Sequence, residues 1–224
     1  MMDASRHMFD ITDEDIGRLN DKDLRSLVGL LCGAELRADG LSTAFVRWGG
    51  DQNSPDGGLD VVIEIPLANP VQGFIPRNRT GIQVKKSNMA AASITSEMRP
   101  KGQLRPVIAD LAKNNGAYII LSGAASTTDS ALKERLAAMS AALHDCADAE
   151  KLSLQFYDSS HIATWVRAHP GIASWVREKI GRPLKGWRSC YPESWVNGKR
   201  TYYVPEEHVQ LHKGDHGRTL STVS

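Results

Sequence analysis

The sequence predicts an α/β fold, a mixed central sheet with helices on its faces, followed by a helical, aromatic-rich C-terminal extension. Three observations carry that expectation. In the second half of the chain, short strand-like runs alternate with helical stretches, the pattern of strands joined by crossover helices. The run 117–121, Ala-Tyr-Ile-Ile-Leu, is apolar throughout, as a strand covered on both faces is. Earlier, the runs 59–65 and 81–85 are rich in β-branched residues and follow one another without a helical pattern between them.

Taken in order, the first element is a helix beginning after Asn20. Asn20 can cap it, Asp21 and Asp23 suit its positive N-terminal end, and Leu24, Leu27, Val28, Leu31 and Ala34 follow helical spacing until Gly40 ends it. A short strand is expected over 44–48, then a turn-forming loop over 49–58. The strands 59–65 and 81–85 flank a connection over 66–79. Residues 90–98 read as irregular or as a short helix, and 104–114 as an amphipathic helix with Gly116 just beyond. The apolar strand 117–121 leads to a helix from Thr128 or Asp129 through Leu143. A last core strand spans 152–157, and Asp158 or Ser159 caps the helix that carries Ile162, Trp165 and Val166.

A length of 224 residues suits one domain with an extension, and the change of character after Trp165 divides the chain into 1–165 and 166–224. A net charge of +1 neither announces a nucleic-acid partner nor excludes one, because a basic groove can be balanced by acids elsewhere. No stretch has the apolar length of a membrane span, and the first residues lack a signal-peptide core. The three cysteines, Cys32, Cys146 and Cys190, lie far apart and form no metal-type pair, which points to a reducing cytoplasm.

Three polar features stand out. Glu35 lies four residues after Leu31 and seven after Val28, so it projects from the apolar face of its helix. A carboxylate there is costly unless donors or a cation meet it, whether an arginine near the helix end or a ligand. Asp60 begins a strand just after Gly57 and Gly58, as a turn residue or as a ligand brought close to another backbone. Gln83 and Lys85, two apart on a strand, share the face opposite Ile82 and Val84, which polar alternation on a half-exposed strand also produces. Taken together, these residues have what phosphodiester hydrolysis needs. Asp60, the Gln83 side-chain carbonyl and the Val84 backbone carbonyl can hold a hard divalent cation, with Glu35 completing the shell or binding a second ion. The cation polarises a phosphoryl oxygen and lowers the pKa of a bound water. Lys85 orients that water or offsets charge growing on the phosphorane. The expected catalytic set is therefore Glu35, Asp60, Gln83 and Lys85, and the expected metal ligands are Asp60, Gln83, Val84 and Glu35.

The Gly57-Gly58-Leu59-Asp60 stretch followed by Gly81-Ile82-Gln83-Val84-Lys85-Lys86 resembles the catalytic core of Mrr-type restriction endonucleases of the PD-(D/E)xK class. In that group glutamine often stands in place of the acid, and Glu35 matches the family's N-terminal helix glutamate. The resemblance covers roughly residues 20–165. It implies a restriction-endonuclease-like mixed sheet and Mg²⁺ dependence, with Mn²⁺ as a possible substitute. It also implies cleavage of DNA, and the expected substrate is double-stranded DNA cut with little sequence choice. The connection 66–79 is longer than a tight hairpin, and its Arg77 and Arg79 fit phosphate contacts as well as they fit a solvated loop.

Beyond Trp165, the residues Trp175, Trp187, Trp195, Tyr202 and Tyr203 mix with Arg177, Lys179, Arg182, Lys185 and Arg188. Such a mixture suits a docking surface or single-strand binding. The Trp165-Val166-Arg167 stretch, with Trp175, Gly181-Arg182-Pro183 and Gly186-Trp187, is loosely similar to the region after the nuclease domains of antiphage STAND NTPases. That similarity implies a defence effector acting as a homo-oligomer, with a regulatory NTPase or sensor as partner or fused domain. His208, His212 and His216 are spaced for one helical face, but Lys213-Gly214-Asp215 breaks that helix and favours a polar tail. Two other functions fit the same residues: a DNA-binding module that has lost turnover, and an assembly module working through the tryptophan-rich end.

Overall fold

Strand β3 (Arg79–Lys85) is the centre of the molecule, and its neighbours follow from chain order. In the computed structural model, which describes residues 10–48, 58–66, 73–124, 127–183, 187–188 and 204–205, the chain runs α1 (Asp13–Arg18), α2 (Asp21–Ala38), β1 (Val46–Trp48), β2 (Val61–Glu64), β3, α3 (Ala91–Met98), α4 (Pro106–Lys113), β4 (Ala117–Ser122), α5 (Asp129–Ala141), β5 (Ser153–Tyr157), α6 (Ser159–Arg167) and α7 (Pro170–Lys179). A two-stranded antiparallel ribbon pairs β6 (Trp187–Arg188) with β7 (Val204–Pro205). The five-stranded sheet has the order β1-β2-β3-β4-β5. Its first three strands are antiparallel, and β4 and β5 add in parallel. The parallel additions need crossovers, and α3 with α4, then α5, provide them. This is the expected α/β architecture with a mixed sheet between helices.

Strand alternation sorts the core into two layers. Val61, Ile63, Ile82, Val84, Ile119 and Leu121 face one layer, packed with residues of α1, α2, α6 and α7. Tyr118 and Ile120 face the other, with Ile94 and Met98 of α3, Ile108 and Leu111 of α4, and Met139 of α5. Because β3 lies between the layers, its central residues from Thr80 to Val84 are all buried. The face that carries Gln83 and Lys85, expected to be half-exposed, is instead covered by helices. The alternation of polar and apolar residues was legible, but the sequence does not show what lies over the polar side.

Helix starts follow the chemistry of their caps. The Asn20 side chain accepts from the Asp23 N–H (2.8 Å), Thr128 caps α5, and Asp158 caps α6. Helix α1, absent from the sequence reading, closes a capping box in which Thr12 and Asp15 satisfy each other's backbone N–H groups.

Helix α6 runs through the expected boundary at 165/166, and the layer built on α2 continues beyond it. Ile172, Ala173, Trp175 and Val176 of α7 are buried in that layer. Trp175, expected on a docking surface, is a core residue with the Lys179 ammonium 5.4 Å from its ring centroid. Arg182 pairs with the buried Asp15 at 2.8 Å. The side chains of Lys185, Trp187, Arg188, Trp195, Tyr202 and Tyr203, together with Cys190, His208, His212 and His216, lie outside the described residues. Among the described residues, no helix is long and apolar enough to cross a membrane.

These contacts set an expectation for Trp175→Ala. Loss of a buried tryptophan should cost about 3–5 kcal/mol and lower the urea midpoint accordingly. A variant as stable as the parent would return Trp175 to a surface role.

Candidate functional site

The register of β2 on β3 builds the site. Val61 lies opposite Ile82, so Asp60, one residue earlier, meets Gln83, and the Asp60 N–H donates to the Ile82 carbonyl at 3.0 Å. The Asp60 carboxylate then receives two donors on Oδ2, the Gln83 Nε2 at 2.8 Å and the Val84 N–H at 2.8 Å. Its Oδ1 faces the Arg25 Nε at 3.2 Å. Gly58, just upstream, has φ +83 and abuts the Arg105 guanidinium, so a side chain there would be strained and would collide.

Burial raises the Asp60 pKa, because only 15% of the side chain is exposed. The Val84 N–H, the Arg25 guanidinium and the Lys85 ammonium oppose that rise, while Asp21 adds to it. Ionised Asp60 is thus held at a cost by the cations and donors around it.

Gln83 is 6% exposed. With its Nε2 committed to Asp60, its Oε1 is buried and has no hydrogen-bond partner among the described residues. A buried carbonyl without a donor costs about 1–3 kcal/mol, and one beside a carboxylate has the chemistry of a cation ligand. Val84 joins the site through its N–H, whereas its carbonyl was the expected ligand. Lys85 lies close enough to favour ionised Asp60, and its Nζ pairs with the Glu97 Oε2 at 2.7 Å.

Glu35 lies elsewhere. Ten residues separate it from Arg25 on the same helix, roughly 15 Å of rise. Its carboxylate accepts from the Trp165 Nε1 and the His169 Nε2, each at 3.0 Å, and from the Phe74 N–H at 3.5 Å. Phe74 stacks on Trp165, with centroids 4.9 Å apart, and the preceding Gly73, at φ +77, leaves room for the Glu35 oxygen. Its helical phase was read correctly, but inward on α2 leads to α6 and α7 at this level rather than to Asp60. Burial by itself would raise the Glu35 pKa, yet the His169 and Trp165 contacts and the Phe74 N–H outweigh it and hold the carboxyl below its ordinary value.

Asp60, Gln83, Val84 and Lys85 therefore come together, and Glu35 does not join them. The acid that α2 brings near Asp60 is Asp21, which pairs with Arg25 one turn along the helix. Asp21 was legible only as a favourable first-turn acid. Glu97 was missed because residues 90–98 gave no clear helical phase. Arg79, expected among phosphate contacts, pairs with Glu64 at 3.1 Å and Asp110 at 3.8 Å, while Arg77 is exposed.

Among the described residues, no group of three or more His, Cys, Asp and Glu side chains is placed to hold a metal ion. The oxygen donors at Asp60 are its carboxylate and the unpartnered Gln83 carbonyl, a set that suits a hard cation once Arg25 yields its place. Compared with protein-family models, curated proteins and solved structures, the chain matches none.

Two outcomes follow. A raised folded-state pKa means that ionised Asp60 destabilises the fold at neutral pH. Asp60→Asn should keep or raise the melting temperature, and a marked fall would make Asp60 a structural residue. For Glu35 the sign is opposite: a lowered folded-state pKa contributes stability that is present above its ordinary value of 4.5 and lost as the pH falls through the folded-state value. Glu35→Gln should cost about 1–3 kcal/mol at pH 7, and the difference from the parent should narrow in acid denaturation below pH 4.5.

Proposed function

We propose that this chain is a divalent-cation-dependent endonuclease of the restriction-endonuclease-like type that hydrolyses DNA phosphodiester bonds. The observation that carries the reading is the meeting of Asp60 with Gln83 across an antiparallel strand pair, beside Lys85, with a buried Gln83 oxygen left unpartnered. The mixed five-stranded sheet is what the resemblance to Mrr-type enzymes implies.

Asp60 and Gln83 would hold the cation through the carboxylate and the amide oxygen. A hard cation there polarises a phosphoryl oxygen and makes water more acidic. Gln83 Nε2 and the Val84 N–H fix the Asp60 carboxylate by gripping one oxygen, while the other faces Arg25. Lys85 supplies positive charge on the same strand face, where it can offset the charge that builds on the phosphoryl oxygens. The walls of the α3–α4 layer limit water around these groups and strengthen their interactions.

One observation favours a second reading, a DNA-binding module without turnover. Asp60 is met by Arg25 and Lys85 by Glu97, so both expected reactive groups are neutralised within the chain.

Plasmid nicking with Mg²⁺, Mn²⁺ and EDTA separates the two readings. We expect cation-dependent nicking that falls by about 10²–10³ in Lys85→Ala, with the fold and DNA affinity nearly intact. DNA binding in a mobility-shift assay without nicking in either metal would leave the second reading standing.

A further inference from the structure

Glu97 is the carboxylate that the reading so far leaves unexplained. It projects from α3 on the sheet face that carries Gln83 and Lys85, and only 15% of its side chain is exposed. Its Oε2 holds Lys85 at 2.7 Å and its Oε1 holds the Arg105 Nη2 at 2.8 Å. The Arg105 Nε also donates to the Glu97 carbonyl at 2.7 Å, which fixes α3 over this part of the sheet.

The Glu97 and Asp60 carboxylates both act electrostatically on Tyr118. Its ring rises from β4 on the same side as Gln83, its residue is fully buried, and its hydroxyl has no hydrogen-bond partner among the described residues. Burial chiefly raises its pKa, and the Glu97 and Asp60 carboxylates both add to that rise while Arg105 opposes it. The phenol therefore lies within the fields of both acids. Lys85 pairs with Glu97 and acts on Asp60, and near these two carboxylates the Gln83 carbonyl, on the same strand face as Lys85, and the Tyr118 hydroxyl are buried without a partner among the described residues. Unsatisfied buried oxygens are uncommon, and two of them beside the same acids point to a ligand that supplies positive charge.

Resting on the nuclease reading, we propose that Glu97 is the second cation-holding carboxylate of the site, providing from helix α3 the negative charge that Gln83 does not provide from the strand. Arg105 remains on one Glu97 oxygen and keeps the side chain in place. The other oxygen exchanges Lys85 for the cation, which leaves the ammonium free to face a phosphate. Asp60 makes the matching exchange with Arg25. Tyr118 keeps its proton and can donate a hydrogen bond to whichever carboxylate oxygen the exchange turns toward it.

The test is calorimetric titration of the full chain with Mn²⁺. The parent should bind Mn²⁺, Asp60→Asn should lose that binding, and Glu97→Gln should weaken it by at least about tenfold with an unchanged circular dichroism spectrum. Gln83→Glu placed in the Glu97→Gln background should restore most of the affinity, because the carboxylate returns to the same site from the strand. A purely structural Glu97 gives no such recovery, and a folded double variant that stays weak overturns the proposal. Should Glu97→Gln fail to fold, Glu97→Asp keeps the charge while shortening its reach, and parent-like affinity in that variant overturns the proposal. Parent-like affinity in a folded Glu97→Gln, with binding lost in Asp60→Asn, refutes the role of Glu97 and leaves the nuclease reading intact. A parent chain that takes up no Mn²⁺ removes both.

Discussion

A polar side chain on a strand covered from both sides has to find its partners inside the protein, and Gln83 is under that constraint. Its amide has one donor satisfied by Asp60, and the same Asp60 oxygen accepts the next backbone N–H, that of Val84. The pairing depends on register. A slip of β2 by one residue would turn Asp60 to the opposite face and place an apolar residue against the amide. Val61 and Ile63 prevent that slip, since they would leave the layer built on α2. The apolar pattern of β2 thus fixes the position of the acid just before it.

Helix α2 ties this site to the rest of the molecule. Its first turns carry Asp21 and Arg25 to Asp60, and its last turns carry Glu35 to Trp165, His169 and the backbone of Phe74. The two polar clusters lie at opposite ends of the same apolar face. The Asp60 end leaves a carbonyl unsatisfied and a carboxylate held at a cost. The Glu35 end is fully hydrogen-bonded, and its carboxylate is favoured over the neutral form. An unfavourable, incompletely paired cluster is the kind that ligand chemistry uses, and a satisfied one is the kind that holds a fold.

How much of this was legible differs by residue. The strands and helix starts were visible because β-branched runs, apolar periodicity and capping residues are local signals. Asp60, Gln83 and Lys85 were visible because strand alternation projects them predictably once the strands are placed. Glu35 shows the limit of the same reasoning: helical phase tells which way a side chain points, not what it meets, and α7 was not placed in the core. Trp175 was misjudged for that reason, since composition gave an aromatic residue among basic ones but not the layer that buries it. Glu97 and Tyr118 could not be found, because their relation to Lys85 and Asp60 exists only after the crossover through α3 and α4 brings α3 and β4 beside β3.

The site's charges also bear on the order of events under the proposed function. Asp21, Asp60 and Glu97 are matched by Arg25, Lys85 and Arg105, so the cluster is neutral as it stands. A neutral cluster gives little attraction for a phosphate backbone, whose binding is dominated by excess positive charge. A divalent cation entering the same cluster changes that balance by two charges. It competes with Arg25 for Asp60, and each arginine or lysine it displaces is still held nearby by its own helix or strand. Positive charge then accumulates where the phosphate has to lie. On the proposed function, cation binding and DNA binding would therefore be coupled favourably at this site, and by linkage the DNA would tighten the cation as much as the cation tightens the DNA. Internal pairing would then keep the proposed site quiet when either is absent, a useful property for a nuclease that could otherwise cut any accessible duplex.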